Sequence, residues 1–261
     1  MKVVILGSGN TATVLGTKIL QAGHEILQVV SRQEVHAAGL ASELHCGYAT
    51  AWSAVDRTGE LYLVALSDDA VYGLGAGLSL PGKLVVHTAG TVPKEALRTV
   101  SGHCGVLYPL QSLRKEIHPF PAIPFLVDAL RGDDRVRIGD FARTISGQVR
   151  EADDAERLKL HLGAVLVNNF SNYLYTLAAD FCREEKTDFS LLLPLIQETA
   201  GRLSHFAPRD VQTGPAIRGD RSSIERHLNL LSNHNDLREL YSLFTKQIEA
   251  YYRSGEIPHR L

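Results

Sequence analysis

The sequence predicts an α/β protein in which a doubly wound domain with a mostly parallel sheet precedes an all-helical domain. Over the first 150 residues, short apolar runs alternate with helical stretches, the pattern of βαβ units. A glycine-rich segment separates the first apolar run from the first helical stretch. Beyond residue 154 no convincing strand is found, and apolar residues recur every three or four positions, as in amphipathic helices.

The elements of the first domain follow from local patterns. Val3–Leu6 is an apolar, β-branched run that stops at Gly7, which is typical of a buried parallel strand. Thr11–Ala22 has apolar residues at helical spacing and stops at Gly23. Further strands are predicted over Glu25–Val30, Leu61–Leu66, Leu84–His87 and Ile123–Val127. Right-handed crossovers would place the helices on both faces of the sheet.

The second half is predicted to contain helices only. They cover Asp153–Lys186, Leu191–Phe206 and Ser222–Arg253, the last broken at Ser232–Asn235. We therefore expect a domain boundary between residues 152 and 153, giving a nucleotide-binding domain 1–152 and a helical substrate and dimerisation domain 153–261.

Composition excludes several classes of protein. The chain has 27 Lys and Arg against 29 Asp and Glu, so no nucleic-acid partner is expected. No apolar run approaches the roughly 18 residues of a membrane span. Three cysteines without a CxxC pair indicate reduced thiols and a cytoplasmic location. The 11 histidines are scattered, and we predict no metal site.

The glycine-rich segment is a candidate dinucleotide-binding loop. Gly7-Ser8-Gly9-Asn10-Thr11-Ala12 has the pattern G-x-G-x-x-A between a predicted strand and a predicted helix. The first glycine allows a tight turn, the second lets the backbone approach a pyrophosphate, and the small third residue allows close packing. The helix N-terminus offers free N–H groups to the phosphates. The alternative is a βα turn without a ligand.

The end of the second strand predicts NADP as the cofactor. NAD sites usually have an acidic residue there to bind the ribose 2′-hydroxyl. This chain has Ser31 and Arg32 instead, and a guanidinium can bind a 2′-phosphate through two hydrogen bonds. The alternative is that the two residues merely cap a loop.

Two further strand ends are candidate cofactor contacts, because ligands of α/β proteins bind at the carboxyl ends of strands. Ser67 follows the third predicted strand, and Asp68 or Asp69 is expected to cap the next helix. Thr88 and Gly90 follow the next strand and would lie beside the nicotinamide.

A short polar stripe in the first long helix is the candidate catalytic group. His161, Asn168 and Asn172 share one face of a regular α-helix, and Asn169 is a second candidate to face the cleft. Buried imidazole and amide groups need hydrogen-bond partners, and a substrate is one possible partner. The alternatives are that they bond internally or that His161 lies on the surface.

The order of these motifs carries a resemblance to one bacterial family. The motifs are G-S-G-N-T-A, V-V-S-R, V-A-L-S-D-D-A-V, V-V-H-T-A-G, G-V-L-Y-P-L-Q-S-L, H-L-G-A-V-L-V-N-N-F and Q-T-G-P-A-I-R-G-D. They resemble Rossmann-like proteins with an uncharacterised helical C-terminal domain, which are grouped with NADP oxidoreductases. That family is similar to deazaflavin-dependent NADP oxidoreductases and pyrroline-5-carboxylate reductases.

The resemblance has implications for the helical half. It implies a domain like the C-terminal domain of 6-phosphogluconate and β-hydroxyacid dehydrogenases, which generally dimerise through it, so a homodimer is expected. The wider superfamily suggests a catalytic lysine followed one turn later by an asparagine. Here Lys159 is followed four residues later by Gly163, and His161 is the apparent replacement, with Asn168 and Asn172 beyond it.

The expected activity is hydride transfer between NADP(H) and a small carbonyl or imine substrate, with His161 as the proton donor. Gln111 and Arg218 are further candidate substrate contacts, Arg218 as a clamp for a carboxylate. Arg218 has the alternative of pairing with Asp220 or Asp210. The alternative function is a non-catalytic NADP-binding sensor or partner-binding dimer, since fold alone does not fix function.

Overall fold

The computed structural model describes residues 1–253. Eight strands within this range form one sheet in the order β3-β2-β1-β4-β5-β6-β7-β8. All neighbouring strands are parallel except β6 and β7. The strands are β1 Lys2–Leu6, β2 Glu25–Val30, β3 Gly47–Ala49, β4 Leu61–Val64, β5 Leu84–His87, β6 His103–Pro109, β7 Phe125–Ala129 and β8 Val149–Glu151.

Helices and turns cover both faces of this sheet. The helices of the first half are α1 Asn10–Gln21, α2 Glu34–Glu43, α3 Asp68–Gly73, α4 Gly132–Ile145 and α5 Asp154–Ala164. Alternate strand residues belong to two different apolar clusters: Val3 and Ile5 pack with α1 and α4, whereas Val4 and Leu6 pack with α3 and the turns after it. The predicted fold class, a doubly wound Rossmann-like domain followed by a helical region, is confirmed.

Some predicted strands differ from those observed. The strand predicted over Ile123–Val127 runs instead over Phe125–Ala129, because it pairs with β6 as far as Ala129 and Pro124 has no N–H to donate. Strand β6 was missed because Gly105 and Pro109 resemble turn residues. Gly105 lies where a β-carbon would be 2.4 Å from the Asp128 carbonyl oxygen, so close strand packing explains the glycine. The two other missed strands, β3 and β8, have three residues each.

The predicted helices of the second half are observed. After a π-helix over Val165–Phe170 come α6 Ser171–Glu184, α7 Leu193–Gly201, α8 Pro215–Arg218, α9 Arg221–Leu230 and α10 Asn235–Arg253. The predicted break in the last stretch is confirmed, since α9 ends at Leu230 and α10 begins at Asn235.

The chain divides into two compact units, Met1–Asn169 and a second that begins at Phe170. The predicted boundary between residues 152 and 153 stays a prediction. Residues 254–261, which the prediction included in the helical domain, lie outside the described residues.

Among residues 1–253, no helix is long and apolar enough to cross a membrane. Cys46, Cys104 and Cys182 carry free thiols.

Candidate active site

The glycine loop joins β1 to α1, and its two glycines have different surroundings. Gly7 has a φ of +122°, and a β-carbon there would lie 2.2 Å from the carbonyl oxygen of Ala65. Its N–H donates to the Val30 carbonyl at 2.8 Å. A β-carbon on Gly9 would meet nothing within 4 Å. The fold therefore requires glycine at residue 7, whereas the space beside Gly9 is open to a ligand.

The start of α1 offers hydrogen-bond donors toward this open space. Gly9 is the N-cap residue, and no side chain caps the helix. The backbone N–H groups of Asn10, Thr11 and Ala12 therefore lack partners within the helix and lie at the positive end of its dipole. Ala12 is fully buried, so the small third position packs the helix against the sheet. This arrangement suits a phosphate group.

A cavity of about 880 Å³ connects the ends of three neighbouring strands. It is lined by residues that follow β1, β2 and β4, together with parts of α2, α3 and the turn after β3: Gly7, Ser8, Gly9, Ser31, Arg32, Gln33, His36, Trp52, Ala65, Leu66, Ser67, Ala70, Gly73 and Leu74. We call it the first cavity. Its volume is in the range of small-molecule sites.

Six predicted cofactor contacts thus line one cavity. The Ser8 hydroxyl donates to the Ser31 hydroxyl at 2.8 Å, which connects the loops after β1 and β2. Arg32 is exposed, and within the described part of the chain its guanidinium forms no ion pair. The loop can accept a pyrophosphate, and Ser31 with Arg32 can accept a 2′-phosphate. These residues fit a dinucleotide that carries that phosphate.

A second cavity, of about 520 Å³, lies within the first compact unit. Its walls are mainly apolar, and its polar groups include four of the predicted residues, Gln111, His161, Asn168 and Asn169. The full lining is Tyr108, Leu110, Gln111, Ser112, Leu160, His161, Gly163, Ala164, Val165, Val167, Asn168 and Asn169. His161 is half-buried.

Two residues contact the ring of His161, one in β6 and one in the loop after β5. The hydroxyl of Tyr108, in β6, lies 2.9 Å from Nδ1, and the two rings meet edge to face at 5.9 Å between centroids. Gly90 lies beneath the ring: a β-carbon there would be 2.6 Å from Nδ1. Burial raises the pKa of Tyr108, and the charge of Arg157 opposes that rise. His161 therefore packs against the carboxyl end of the sheet.

Arg157 fixes the position of the loop that contains Gly90. Its side chain is 1% exposed. Nε donates to the Gly90 carbonyl at 3.3 Å, and Nη2 donates to the Val92 carbonyl and to Asp154. Nη1 is buried and has no partner in the described structure. Arg157 thus attaches α5, which carries His161, to the loop after β5.

The remaining strand-end residues have structural contacts. Thr88 is largely buried, and both its N–H and its hydroxyl point to the Val64 carbonyl. The expectation that Asp68 or Asp69 caps α3 is wrong, because Ser67 occupies the cap position. The Asp68 carboxylate instead accepts a hydrogen bond from the Thr91 hydroxyl.

The predicted stripe assumed a regular α-helix, and that assumption is wrong at Val165–Phe170, which is a π-helix. A π-turn holds more residues than an α-turn and is frequent at functional sites. Asn168 and Asn169 both line the second cavity with His161. Asn172, in α6, belongs to the second compact unit and lines neither cavity.

Of the two candidate substrate contacts, Gln111 lines the second cavity, whereas Arg218 lines neither cavity. The Gln111 amide donates to the Ala122 carbonyl at 3.1 Å and accepts from the Ser112 N–H at 2.9 Å. Arg218 ends α8 in the second unit and forms no ion pair with the described residues. Hydrogen bonds from Ser223, and to a smaller extent the charge of Arg218, lower the pKa of Asp220.

Sequence reasoning missed Tyr108 and Arg157 as members of the site. Tyr108 belongs to the motif Tyr-Pro-Leu-Gln-Ser, and an aromatic hydroxyl at a strand end was the available signal. Arg157 follows Asp154 by three residues, which is typical of an exposed helical ion pair, so no pattern indicated that it is buried.

Two family models match separate parts of the chain. Residues 2–90 match the family described as NADP oxidoreductase, coenzyme F420-dependent, and residues 123–248 match a domain of unknown function, DUF2520. None of the curated proteins matches the chain significantly.

Three solved structures are similar over nearly the whole chain. BF3122 from Bacteroides fragilis, classed provisionally as an NADP oxidoreductase, is 36% identical, with a TM-score of 0.86 over 95% of this chain and 98% of that one. TM1727 from Thermotoga maritima is 19% identical (TM-score 0.76; 95% and 99% covered). A reductive aminase from Aspergillus terreus, solved with NADPH and ethyl-5-oxohexanoate, is 20% identical (0.71; 97% and 94%). The last two support the fold alone.

Fold and cavities define the class as a Rossmann-type NADP-dependent oxidoreductase with a helical C-terminal region. The chain belongs to the family of NADP oxidoreductases that join such a nucleotide-binding domain to a DUF2520 domain. The resemblance found in the sequence is thereby confirmed, as is NADP as the cofactor of the family.

Proposed function

We propose that this protein transfers a hydride between NADP(H) and a small carbonyl or imine substrate, with His161 as the general acid for reduction. The contact between Gly90 and His161 carries the proposal. It brings the candidate proton donor to the strand end where a dinucleotide in a doubly wound sheet presents its nicotinamide.

The order of the strands supports the placement of the cofactor. The glycine loop follows β1, Ser31 and Arg32 follow β2 on one side, and Ser67 follows β4 on the other. Thr88 and Gly90 follow β5, the next strand outward. A dinucleotide with its pyrophosphate at Gly9 and its 2′-phosphate at Arg32 would extend in the opposite direction toward Gly90. When bound, the cofactor supplies or accepts the hydride.

The second cavity supplies the substrate side. His161 would deliver a proton from Nε2 to the oxygen or nitrogen of the substrate, a step worth roughly 10²–10⁴-fold in rate. Asn168 or Asn169, which line the same cavity, would orient that polar atom, and the predicted role of Asn172 stays a prediction. Leu110, Leu160, Ala164 and Val165 would supply apolar contacts to the rest of the substrate.

The substrate class rests on the chemistry of this cavity. Carbonyls and imines share a polarised double bond whose heteroatom takes up a proton as the hydride arrives. A half-buried imidazole can donate that proton. The solved reductive aminase, with its NADPH and keto ester, supports testing both classes. The match to the coenzyme F420-dependent family covers only residues 2–90, and no residue that lines the second cavity lies in that range. Coenzyme F420, a deazaflavin, is therefore tested as a hydride partner in a separate assay.

The experiment measures NADPH oxidation with cyclohexanone, with ethyl 5-oxohexanoate, and with each of them plus methylamine. Trp52 is the single tryptophan and lines the first cavity, so its quenching reports NADPH binding separately. We expect turnover that falls at least about 10²-fold in His161→Gln, with NADPH affinity unchanged. NADPH binding without any turnover, coenzyme F420 included, would favour the sensor alternative.

We also propose a cytoplasmic homodimer, with residues 1–152 as the nucleotide-binding domain and the helical half as the dimer contact. The three free thiols support a reducing compartment. Exposed apolar side chains on the second unit support a dimer, among them Phe170, Tyr173, Leu191, Leu195 and Phe206. Light scattering should give twice the chain mass of 28.6 kDa; the mass of one chain at micromolar concentration would contradict the dimer.

A further inference from the structure

The hydrogen bond between Tyr108 and His161 bears on which imidazole nitrogen carries the hydrogen. Tyr108 is 8% exposed, and among the described residues its hydroxyl has one hydrogen-bond partner, Nδ1 of His161, at 2.9 Å. A buried hydroxyl needs an acceptor for its hydrogen. If Nδ1 itself carried a hydrogen, the hydroxyl would have no acceptor among the described residues.

We propose that Tyr108 is a positioning residue that donates to Nδ1 of His161, holds the neutral imidazole in the Nε2–H tautomer and replaces the proton that Nε2 gives to the substrate. The catalytic part of this inference rests on the proposed function, but the tautomer does not. In a neutral histidine, the hydrogen bond made by one ring nitrogen sets the state of the other.

The surroundings keep the ring in this orientation. Gly90 contributes no side chain beneath it, and the Tyr108 ring contacts it edge-on. A turn of the imidazole about its bond to Cβ would break the bond to Tyr108 and leave the hydroxyl unpaired. Burial raises the pKa of Tyr108, so the phenol retains the hydrogen that it donates at neutral pH.

The protons in this step balance, and water is the only further reactant. As the hydride reaches the substrate carbon, the Nε2 hydrogen passes to the substrate oxygen or nitrogen, and the Tyr108 hydrogen passes to Nδ1. The imidazole stays neutral and the phenol becomes a phenolate, which is a far weaker base than the alkoxide or amide anion that would otherwise form. Water then returns a proton to Nε2, and the hydrogen on Nδ1 returns to Tyr108.

The tautomer can be measured without any substrate. Protein with ¹⁵N-labelled histidine gives separate signals for protonated and unprotonated ring nitrogens, and the loss of one set in His161→Gln assigns His161 among the 11 histidines. We expect Nε2–H in the wild type and a mixture of both tautomers in Tyr108→Phe. The Nδ1–H form in the wild type, or an unchanged tautomer in Tyr108→Phe, would overturn the proposal.

Kinetics test the proton supply. With whichever carbonyl or imine probe is turned over, Tyr108→Phe should lower kcat about 10–10²-fold and leave NADPH quenching of Trp52 unchanged. An unchanged kcat would show that Tyr108 does not supply the proton, even if it does fix the tautomer. A lack of turnover in the wild type would count against the proposed function only.

Tyr62→Phe is the matched control. Tyr62 is buried in β4, and its hydroxyl donates to the Asp56 carbonyl at 2.8 Å, so its loss also removes one hydrogen bond of a buried phenol. It should change neither the His161 signals nor kcat. If the tautomer of His161 also changed in Tyr62→Phe, the change in Tyr108→Phe would reflect a general destabilisation of the sheet.

Discussion

The imidazole of His161 lies over Gly90 so closely that a β-carbon at residue 90 would stand 2.6 Å from Nδ1 and 2.8 Å from Cγ. Gly90→Ala must therefore displace the ring of His161, because the neighbouring Tyr108 ring leaves it no room on that side. We expect a loss of about 1–3 kcal/mol in the free energy of unfolding and at least a tenfold loss of turnover. Urea unfolding and NADPH oxidation measure the two effects.

Gly102→Ala is the control for that substitution. A β-carbon on Gly102 would meet nothing within 4 Å, so stability and turnover should stay near those of the wild type. If Gly90→Ala behaves like Gly102→Ala, the contact between Gly90 and His161 does not position the catalytic ring.

Arg157→Lys tests the attachment of α5 to the loop after β5. A lysine has one nitrogen and cannot donate in the planar arrangement that serves the Gly90 and Val92 carbonyls together. We expect a loss of roughly 1–3 kcal/mol in the free energy of unfolding, the cost of leaving buried acceptors unpaired. Urea unfolding measures it.

Arg137→Lys is the matched control for Arg157→Lys. Arg137 also pairs with an aspartate three residues earlier, Asp134, but is 49% exposed, so the exchange should cost less than about 1 kcal/mol. Equal losses in the two variants would show that burial does not set the importance of Arg157.

Most of the fold could be predicted because strands buried on both faces have a simple signature. The run Val3–Leu6, for example, is apolar throughout and ends at Gly7. Strand β6 lacks this signature and was not predicted. Its Gly105 is required by close approach to the Asp128 backbone, a contact between segments more than 20 residues apart that a local pattern cannot report.

The parts of the candidate site that are formed by short local segments could be predicted from the sequence. The glycine loop and the ends of β2 and β4 are local features, and they do line one cavity. Tyr108 and Arg157 act through partners 53 and 67 residues away, so only the folded chain reveals them. The π-helix at Val165–Phe170 changed the predicted face of the helix, and its β-branched and asparagine residues, which are poor helix formers, were the available hint.

His87 should make the protein less stable in acid. Burial and, secondarily, the charge of Arg157 lower the pKa of this fully buried imidazole to about 4, while the unfolded chain should bind a proton near pH 6.5. The unfolded state thus binds more protons as the pH falls from about 6.5 to about 4, and stability is lost over that range. The contribution should be about 2 kcal/mol between pH 8 and pH 5.

The measurement compares urea unfolding at those two pH values in the wild type and in His87→Gln. Because glutamine does not titrate, the variant should lose about 2 kcal/mol less on acidification. His205→Gln, at an exposed histidine, should behave as the wild type does. An identical acid-induced loss in the wild type and in His87→Gln would rule out His87 as the source.

The two glycines of the loop should respond differently to alanine. Gly7→Ala places a β-carbon 2.2 Å from the Ala65 carbonyl oxygen at a φ of +122°, so the folded state itself should be strongly destabilised. Gly9→Ala meets nothing within 4 Å, so its melting temperature should be unchanged. NADPH affinity should nevertheless fall about tenfold or more, because the methyl group occupies the space for the pyrophosphate. A stable Gly9→Ala protein with wild-type NADPH affinity would place the pyrophosphate elsewhere.

Arg32 should determine the choice between NADPH and NADH. Its guanidinium is exposed, forms no ion pair within residues 1–253, and lines the same cavity as Ser31 and the glycine loop. Titration by quenching of Trp52 should show tighter binding of NADPH than of NADH. Arg32→Ala should weaken NADPH by roughly 1.5–3 kcal/mol, the scale of a charge-assisted hydrogen bond, and leave NADH nearly unchanged.

Salt and a control arginine separate a specific contact from general charge. Because Arg32 is exposed, the preference for NADPH should shrink as ionic strength rises. Arg143→Ala removes an exposed arginine that pairs with Asp140 and lines neither cavity, so it should alter neither affinity. Equal affinity of the wild type for the two cofactors, or an equal loss for both in Arg32→Ala, would mean that Arg32 does not bind the 2′-phosphate. The end of β2 would then be a capped loop, and another residue at the first cavity would have to select the cofactor.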